Sequence, residues 1–235
     1  MPTIQLIDYE ASARCRTVNL TCLDSFPPKN CTFEGGNIYG LCGDIREGSW
    51  ALSWALGGRS EQSSGEILLD GVHALQKDLK GRSCFIGEPY CPSINSPFLP
   101  GSVRACLTKA LQTGPTGWTL EALTEAFNLT PERFDRSPMH VQHPQSWYLS
   151  AAIGFAAGKD VFCFPYLTAQ TLRTVENMYA VGVLNLLSEY NKIILLPSVH
   201  SDRLSAICDR MIDTFIPAST IRCGFSSPIG RFKEI

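Results

Sequence analysis

Gly40-Leu41-Cys42-Gly43-Asp44-Ile45-Arg46-Glu47-Gly48-Ser49-Trp50-Ala51 runs from the end of one short apolar segment into the start of a helix-length one. A phosphate-gripping loop between a strand and a helix has the pattern G-x-x-x-x-G-K-[ST], with the Lys on the β- and γ-phosphates and the hydroxyl on Mg²⁺. Gly43 and Gly48 keep that spacing, but Ser49 stands at the Lys position and Trp50 at the hydroxyl position. The spacing of the loop survives without its chemistry. Asp44 and Glu47 add two negative charges where phosphates would sit, against one positive charge on Arg46.

The neighbouring sequence supplies the context such a loop requires. Residues 38–42 read as a short buried strand, 49–56 as a helix, and Gly57-Gly58 as its stop. Upstream, residues 3–8 and 15–23 read as strands, Pro27-Pro28 as a turn, and 31–34 as a third strand that turns at Gly35-Gly36-Asn37. Downstream, Ser64-Gly65-Glu66-Ile67-Leu68-Leu69-Asp70-Gly71 reads as turn, strand and turn.

The middle of the chain, from about residue 88 to 158, changes character. Pro89, Pro92, Pro97 and Pro100 mark loops, while 101–112, 120–128 and a short segment opened by Thr130-Pro131 read as helical. A long apolar helix over 145–157, a strand over 161–164, a helix over 169–190 and a strand over 192–196 follow. A short helix at 202–208 and strands at 210–216 and 220–225 close the chain. Buried strands alternating with helices predict an α/β fold of mixed strand direction, in one domain with a helical insertion.

Bulk properties narrow the function. The 235 residues carry 20 basic and 22 acidic side chains, a net charge of −2, without a basic run, which argues against nucleic acid. The most apolar stretch, 147–164, is interrupted by Lys159-Asp160 and falls short of the roughly 18 apolar residues a membrane span needs. Met1-Pro2-Thr3 begins no signal peptide, so a cytoplasmic protein is expected. Of the ten cysteines, Cys42, Cys84 and Cys163 sit in strand-like apolar runs, as small buried hydrophobes do. His140-x-x-His143 has no companion Cys pair, so no metal site is expected.

Taken in order, the loop 43–51, the Ser64 to Gly71 segment, the helical insertion, the long helix with its apolar strand, and Ile193–Leu196 leading to His200 resemble the ATPase domain of ABC transporters. The resemblance covers nearly the whole chain and implies a P-loop NTPase-like ABC ATPase fold, with an antiparallel β part and a helical subdomain near 88–158. It also implies where the chemistry should lie, and there the sequence departs from the family. The family's adenine-stacking aromatic falls at Ala11-Ser12-Ala13-Arg14, where there is no ring, and Tyr9 is too early. Its Mg²⁺-touching Gln corresponds to Glu88.

The family's Leu-Ser-Gly-Gly-Gln signature, which grips the γ-phosphate through backbone N–H groups at a helix N-terminus, matches Val141-Gln142-His143-Pro144-Gln145. His143 and Pro144 replace the two glycines, and Pro144 has no N–H to give. The acidic pair after the apolar strand becomes Pro165-Tyr166. His200 corresponds to the switch histidine. Loss of the Lys contact and the hydroxyl–Mg²⁺ link costs about 3–6 kcal/mol, some two to four decades in affinity.

The expected function is a catalytically degenerate ABC-type subunit, a structural or regulatory partner of an intact ABC ATPase subunit and a membrane permease subunit, or a homodimer, to which ATP and Mg²⁺ bind weakly or not at all. Two alternatives stay open. The scaffold is reused for another small ligand in a pocket lined by Trp50, Glu88, Tyr166 and His200, or a weak ATPase relies on Arg46 and Glu88. Trp50 and Tyr166 are expected to fill the abandoned phosphate and metal space. Tyr90, Ile94, Phe98 and Leu99, among four prolines, are expected to form a docking surface for a hydrophobic partner element.

Overall fold

A computed structural model describes residues 1–16, 21–60, 62–87, 101–115, 117–142, 144–176 and 178–215. Two sheets lie on either side of one helix. Strands β1 (Thr3–Arg16), β2 (Thr21–Glu34), β4 (Gln62–Leu69) and β5 (Val72–His73) form an antiparallel sheet in the order β2-β1-β4-β5. Strands β3 (Asn37–Cys42), β6 (Ser83–Phe85), β7 (Val161–Cys163), β8 (Ile193–Ser198) and β9 (Arg210–Asp213) form a sheet in the order β6-β7-β8-β3-β9, with every pairing parallel. The two strand directions thus occupy separate sheets of one α/β fold.

The parallel strands are apolar on both faces because each face meets a different layer. Tyr39, Leu41, Val161, Cys163, Ile193 and Leu195 face α1 (Ser49–Leu56) and the antiparallel sheet. Ile38, Phe162, Ile194 and Leu196 face the helices on the other side, α3 (Val103–Thr113), α5 (Gln145–Ala156) and α7 (Met178–Glu189). Cys84 and Cys163 are buried as small hydrophobes, and Cys42 is half-buried. Between β6 and β7 the chain adds α3, α4 (Leu120–Ala126) and α5, whose core includes Leu107, Leu123, Phe127 and Phe155.

The N-terminal strands differ from the sequence expectation. Where a Pro27-Pro28 turn was expected between two strands, β2 continues straight through both prolines. The register explains it: Tyr9 pairs with Lys29 and Ala11 with Phe26, so β2 carries an extra residue between those pairs. A bulge is one of the few places in a strand where a missing N–H costs nothing. On β1 the compensating irregularity falls between Leu6 and Tyr9, where Asp8 has φ 45° and its N–H donates to Asn30 Oδ1 at 2.7 Å.

Elsewhere, the long helix expected over 169–190 is two helices, α6 (Ala169–Val175) and α7. Leu172, Val175, Val183 and Leu187 are all buried, so the apolar spacing continues across the break and conceals it. The expected helix at 202–208 shortens to α8 (Ser201–Leu204), and α2 (Gln76–Arg82) precedes β6. The strand expected at 220–225 lies outside the described residues. No helix among the described residues is long and apolar enough to cross a membrane.

Candidate functional site

Parallel, in-register strands place their carboxyl ends along one edge, the usual location of a ligand site in an open α/β sheet. Cys42 pairs with Ser198 and Cys163 with Leu195, so the loop after β3, Pro165-Tyr166 after β7 and His200 after β8 share that edge. Gly43 N–H donates to Ser198 O at 3.2 Å, and Tyr166 Oη donates to Asp44 Oδ1 at 2.9 Å. The structure therefore joins the loop to the segment that follows β7. Burial, then the hydrogen bond to Asp44 and its charge, push the Tyr166 phenol well above its ordinary value.

The loop is built on two close approaches at glycines, of which the one at Gly48 excludes any side chain. A Cβ on Gly43 would meet Thr214 Oγ1 at 2.2 Å. Gly48 has φ 89°, and its Cβ would meet Phe26 Cα at 2.6 Å and Ser25 O at 2.7 Å. The second contact presses the loop onto β2. Along that strand Leu23 and Ser25 are exposed while Asp24 and Phe26 are buried, so alternation turns Asp24 inward at the contact.

Asp24 is 0% exposed, and its carboxylate lies in the loop. Oδ1 accepts from Arg46 N–H at 2.7 Å and Gly48 N–H at 2.8 Å, and Oδ2 accepts from Ala51 N–H at 2.7 Å. Gly48, at the N-cap of α1, has no side chain to cap the helix. Asp24 supplies that cap from a different strand. Nothing in the loop motif singles it out; the available signal was the alternation over 23–26, which put a carboxylate on a buried face beside a glycine-opened helix.

Three further loop N–H groups are engaged within the loop itself. Asp44 N–H donates to Glu47 Oε2 at 2.6 Å, Ile45 N–H to Asp44 Oδ1 at 2.7 Å, and Glu47 N–H to Asp44 O at 2.9 Å. Ser49, fully buried at the first position of α1, turns back and donates through Oγ to Gly43 O at 2.8 Å. Trp50 packs along α1 on Trp54, with ring centroids 5.6 Å apart. Of the two aromatic residues expected to fill the site, Tyr166 thus reaches the loop, while Asp24 takes its interior.

The other sequence-predicted residues are dispersed. Tyr9 is buried in the core and its hydroxyl accepts from Gln76 Nε2 at 2.7 Å. Pro144 caps α5 with φ −86° and ψ −6°. Ser146 N–H donates to Gln142 O at 3.1 Å and Trp147 N–H to Pro144 O at 3.0 Å, so donors of the first turn are used locally. Gln145 Oε1 accepts from Thr130 N–H at 3.3 Å, and its Nε2 donates to Asn128 O at 3.2 Å, which ties α5 to the 3₁₀ turn before it. His200 lies at the start of α8, its N–H donating to Ser198 Oγ at 3.2 Å. Glu88, His143 and the loop carrying Tyr90, Ile94, Phe98 and Leu99 lie outside the described residues. Among the described residues no cluster of His, Cys, Asp and Glu could hold a metal ion.

Neither a protein-family model nor a curated protein matches the sequence. Solved structures do. A dimeric structure of a bacterial ABC transporter cassette superposes with TM-score 0.60 at 13% identity, covering 89% of this chain and 93% of that one. A post-hydrolysis dimer of the same ATP-binding cassette, bound to ADP and Pi, gives 0.60 at 12% identity over 89% and 93%. An ABC transporter ATP-binding protein from Pyrococcus furiosus gives 0.61 at 15% identity over 90% and 97%. The chain shares the fold of these ATP-binding cassettes.

Proposed function

We propose that this chain is a catalytically degenerate ABC-type subunit that does not use ATP and serves as a structural or regulatory partner in a transporter-like complex. One observation carries the reading: the loop that would grip phosphate gives five of its N–H groups to the chain's own carboxylates. Asp24 takes three backbone N–H groups, and Asp44 and Glu47 take two more. Hydrogen bonds to a charged group contribute about 1.5–3 kcal/mol each. A phosphate would have to displace Asp24 and then sit beside Asp44 and Glu47, with neither a Lys nor a hydroxyl at the usual places to repay it.

The residues present do not fit Mg-ATP. Ser49 bonds inward to Gly43, Trp50 packs on Trp54, and Pro165 and Tyr166 stand where a metal-binding acid and a water-positioning acid would be. The start of α5 offers no better grip for the nucleotide of an opposing subunit, because Pro144 has no N–H and its neighbours' donors are used locally.

A subunit of this kind would act through its surface, paired with an intact ABC ATPase subunit or a second copy and docked on a membrane permease at the cytoplasmic face. The dimer formed by the bacterial cassette supports pairing as the mode of assembly. Calorimetry of the purified chain with millimolar Mg-ATP is the test. The expected result is no heat of binding and no phosphate release; micromolar affinity would overturn the reading.

A further inference from the structure

We propose that Asp24 is a built-in anion, an intramolecular occupant of the loop that stands in for a phosphate group and locks α1 to the antiparallel sheet. The proposal rests on the degenerate-subunit reading and adds how the site is kept shut. Three facts combine. The carboxylate is fully buried, both of its oxygens are engaged by N–H groups of the loop and the first turn of α1, and among the described residues it forms no ion pair. Its charge is therefore balanced by backbone donors and the helix N-terminus, the same groups that balance a bound phosphate.

The anion arrives from another sheet. Asp24 lies on β2, paired with Ala13 of β1, whereas the loop follows β3 of the parallel sheet. The contact of Gly48 with the backbone of Ser25 and Phe26 sets the distance over which the side chain must reach. Because β2 is already fixed by its ladder, the carboxylate needs no flexible tether. Even a short flexible tether gives an effective concentration in the millimolar range, and a rigid strand holds the group in place continuously. A free anion competes with an occupant that never leaves.

Removing the carboxylate should expose a formed but empty nest. In Asp24→Ala, the buried N–H groups of Gly48 and Ala51 and the part-buried one of Arg46 lose their acceptor, and inorganic pyrophosphate added without Mg²⁺ can restore it. The expected result is a melting midpoint several degrees below wild type that recovers with about 10 mM pyrophosphate. Pyrophosphate binding to the variant should be at least tenfold tighter than to wild type, whose midpoint should not move.

Equal midpoints for variant and wild type, or a pyrophosphate shift of the same size in both or in neither, would overturn the proposal. Should Asp24→Ala not fold, Asp24→Asn carries the test, since it keeps the shape but turns an amide nitrogen toward a loop N–H; full wild-type stability in that variant would overturn the proposal too. Mg-ATP binding by wild type would sink the degenerate-subunit reading and this proposal with it, whereas absence of Mg-ATP binding without selective rescue of the variant would sink this proposal alone.

Discussion

Two helix N-termini in this fold lie where the resemblance places phosphate contacts, and they satisfy their donors in opposite ways. Before α1, donors are gathered onto Asp24, a carboxylate from a strand of the other sheet. Before α5, the first-turn donors of Ser146 and Trp147 return to the carbonyls of Gln142 and Pro144 in the same segment. The first arrangement is a tertiary link and the second is local. A glycine-bounded loop can therefore hold its geometry through a distant side chain that fills it. A segment whose donors are consumed within one turn needs no such partner.

The comparison breaks most readily at Gly48. A methyl group there must adopt φ 89° and push against the backbone of Phe26 and Ser25, and neither atom is the end of a flexible side chain. Overpacking and the left-handed conformation together cost about 3 kcal/mol or more. Gly48→Ala should accordingly lower the urea midpoint sharply, while Pro144→Ala should move it by no more than a few tenths of a kcal/mol. Similar losses in the two variants would mean that the loop is no more tightly tied to the fold than the start of α5.

A smaller effect is expected at Tyr166. Its hydroxyl donates to Asp44 Oδ1, so Tyr166→Phe should cost about 1 kcal/mol at neutral pH. The pH dependence sharpens this expectation. Because burial and then Asp44 hold the folded phenol above its ordinary value of 10.0, the unfolded chain loses that proton first as pH rises, and wild-type stability falls. Phe has no such proton. The deficit of the variant relative to wild type should therefore shrink between about pH 9 and about pH 11, as paired chemical denaturation curves would reveal; a constant deficit would mean that the folded phenol is not held above its ordinary value.

The mildest change is expected at Gln145, the one residue of the signature-like segment that keeps the family's identity. Its amide bridges Thr130 and Asn128 within the helical region. Gln145→Ala should cost about 0.5–1 kcal/mol and leave Asp24→Ala rescue by pyrophosphate unaltered. Coupling between the two sites in a double-mutant cycle would contradict the separation drawn here.

Much of the fold was legible because its signals are local. The helix at 49–56 was set by its apolar composition and by Gly57-Gly58, and the buried strands at 38–42, 161–164 and 192–196 were set by unbroken apolar runs. The prolines at 27 and 28 misled because their meaning depends on the partner strand: at a bulge they continue β2, and only the register with β1 reveals the bulge. The split between α6 and α7 was hidden for the converse reason, since the apolar spacing persists across it.

By itself the sequence determined which residues stand in the loop and at the strand ends: Ser49 and Trp50 after Gly48, Pro165 and Tyr166 after the apolar strand, and Pro144 before α5. Residue identity at a motif position is a one-dimensional fact. What occupies the loop instead was decided only by the tertiary structure, because Asp24 is 22 residues from Arg46 and 27 from Ala51 along the chain. It meets them through strand alternation on β2 and the close approach at Gly48. Both conditions arise only when the two sheets close on α1, and a backbone donor shows no preference in sequence for the acceptor that will reach it.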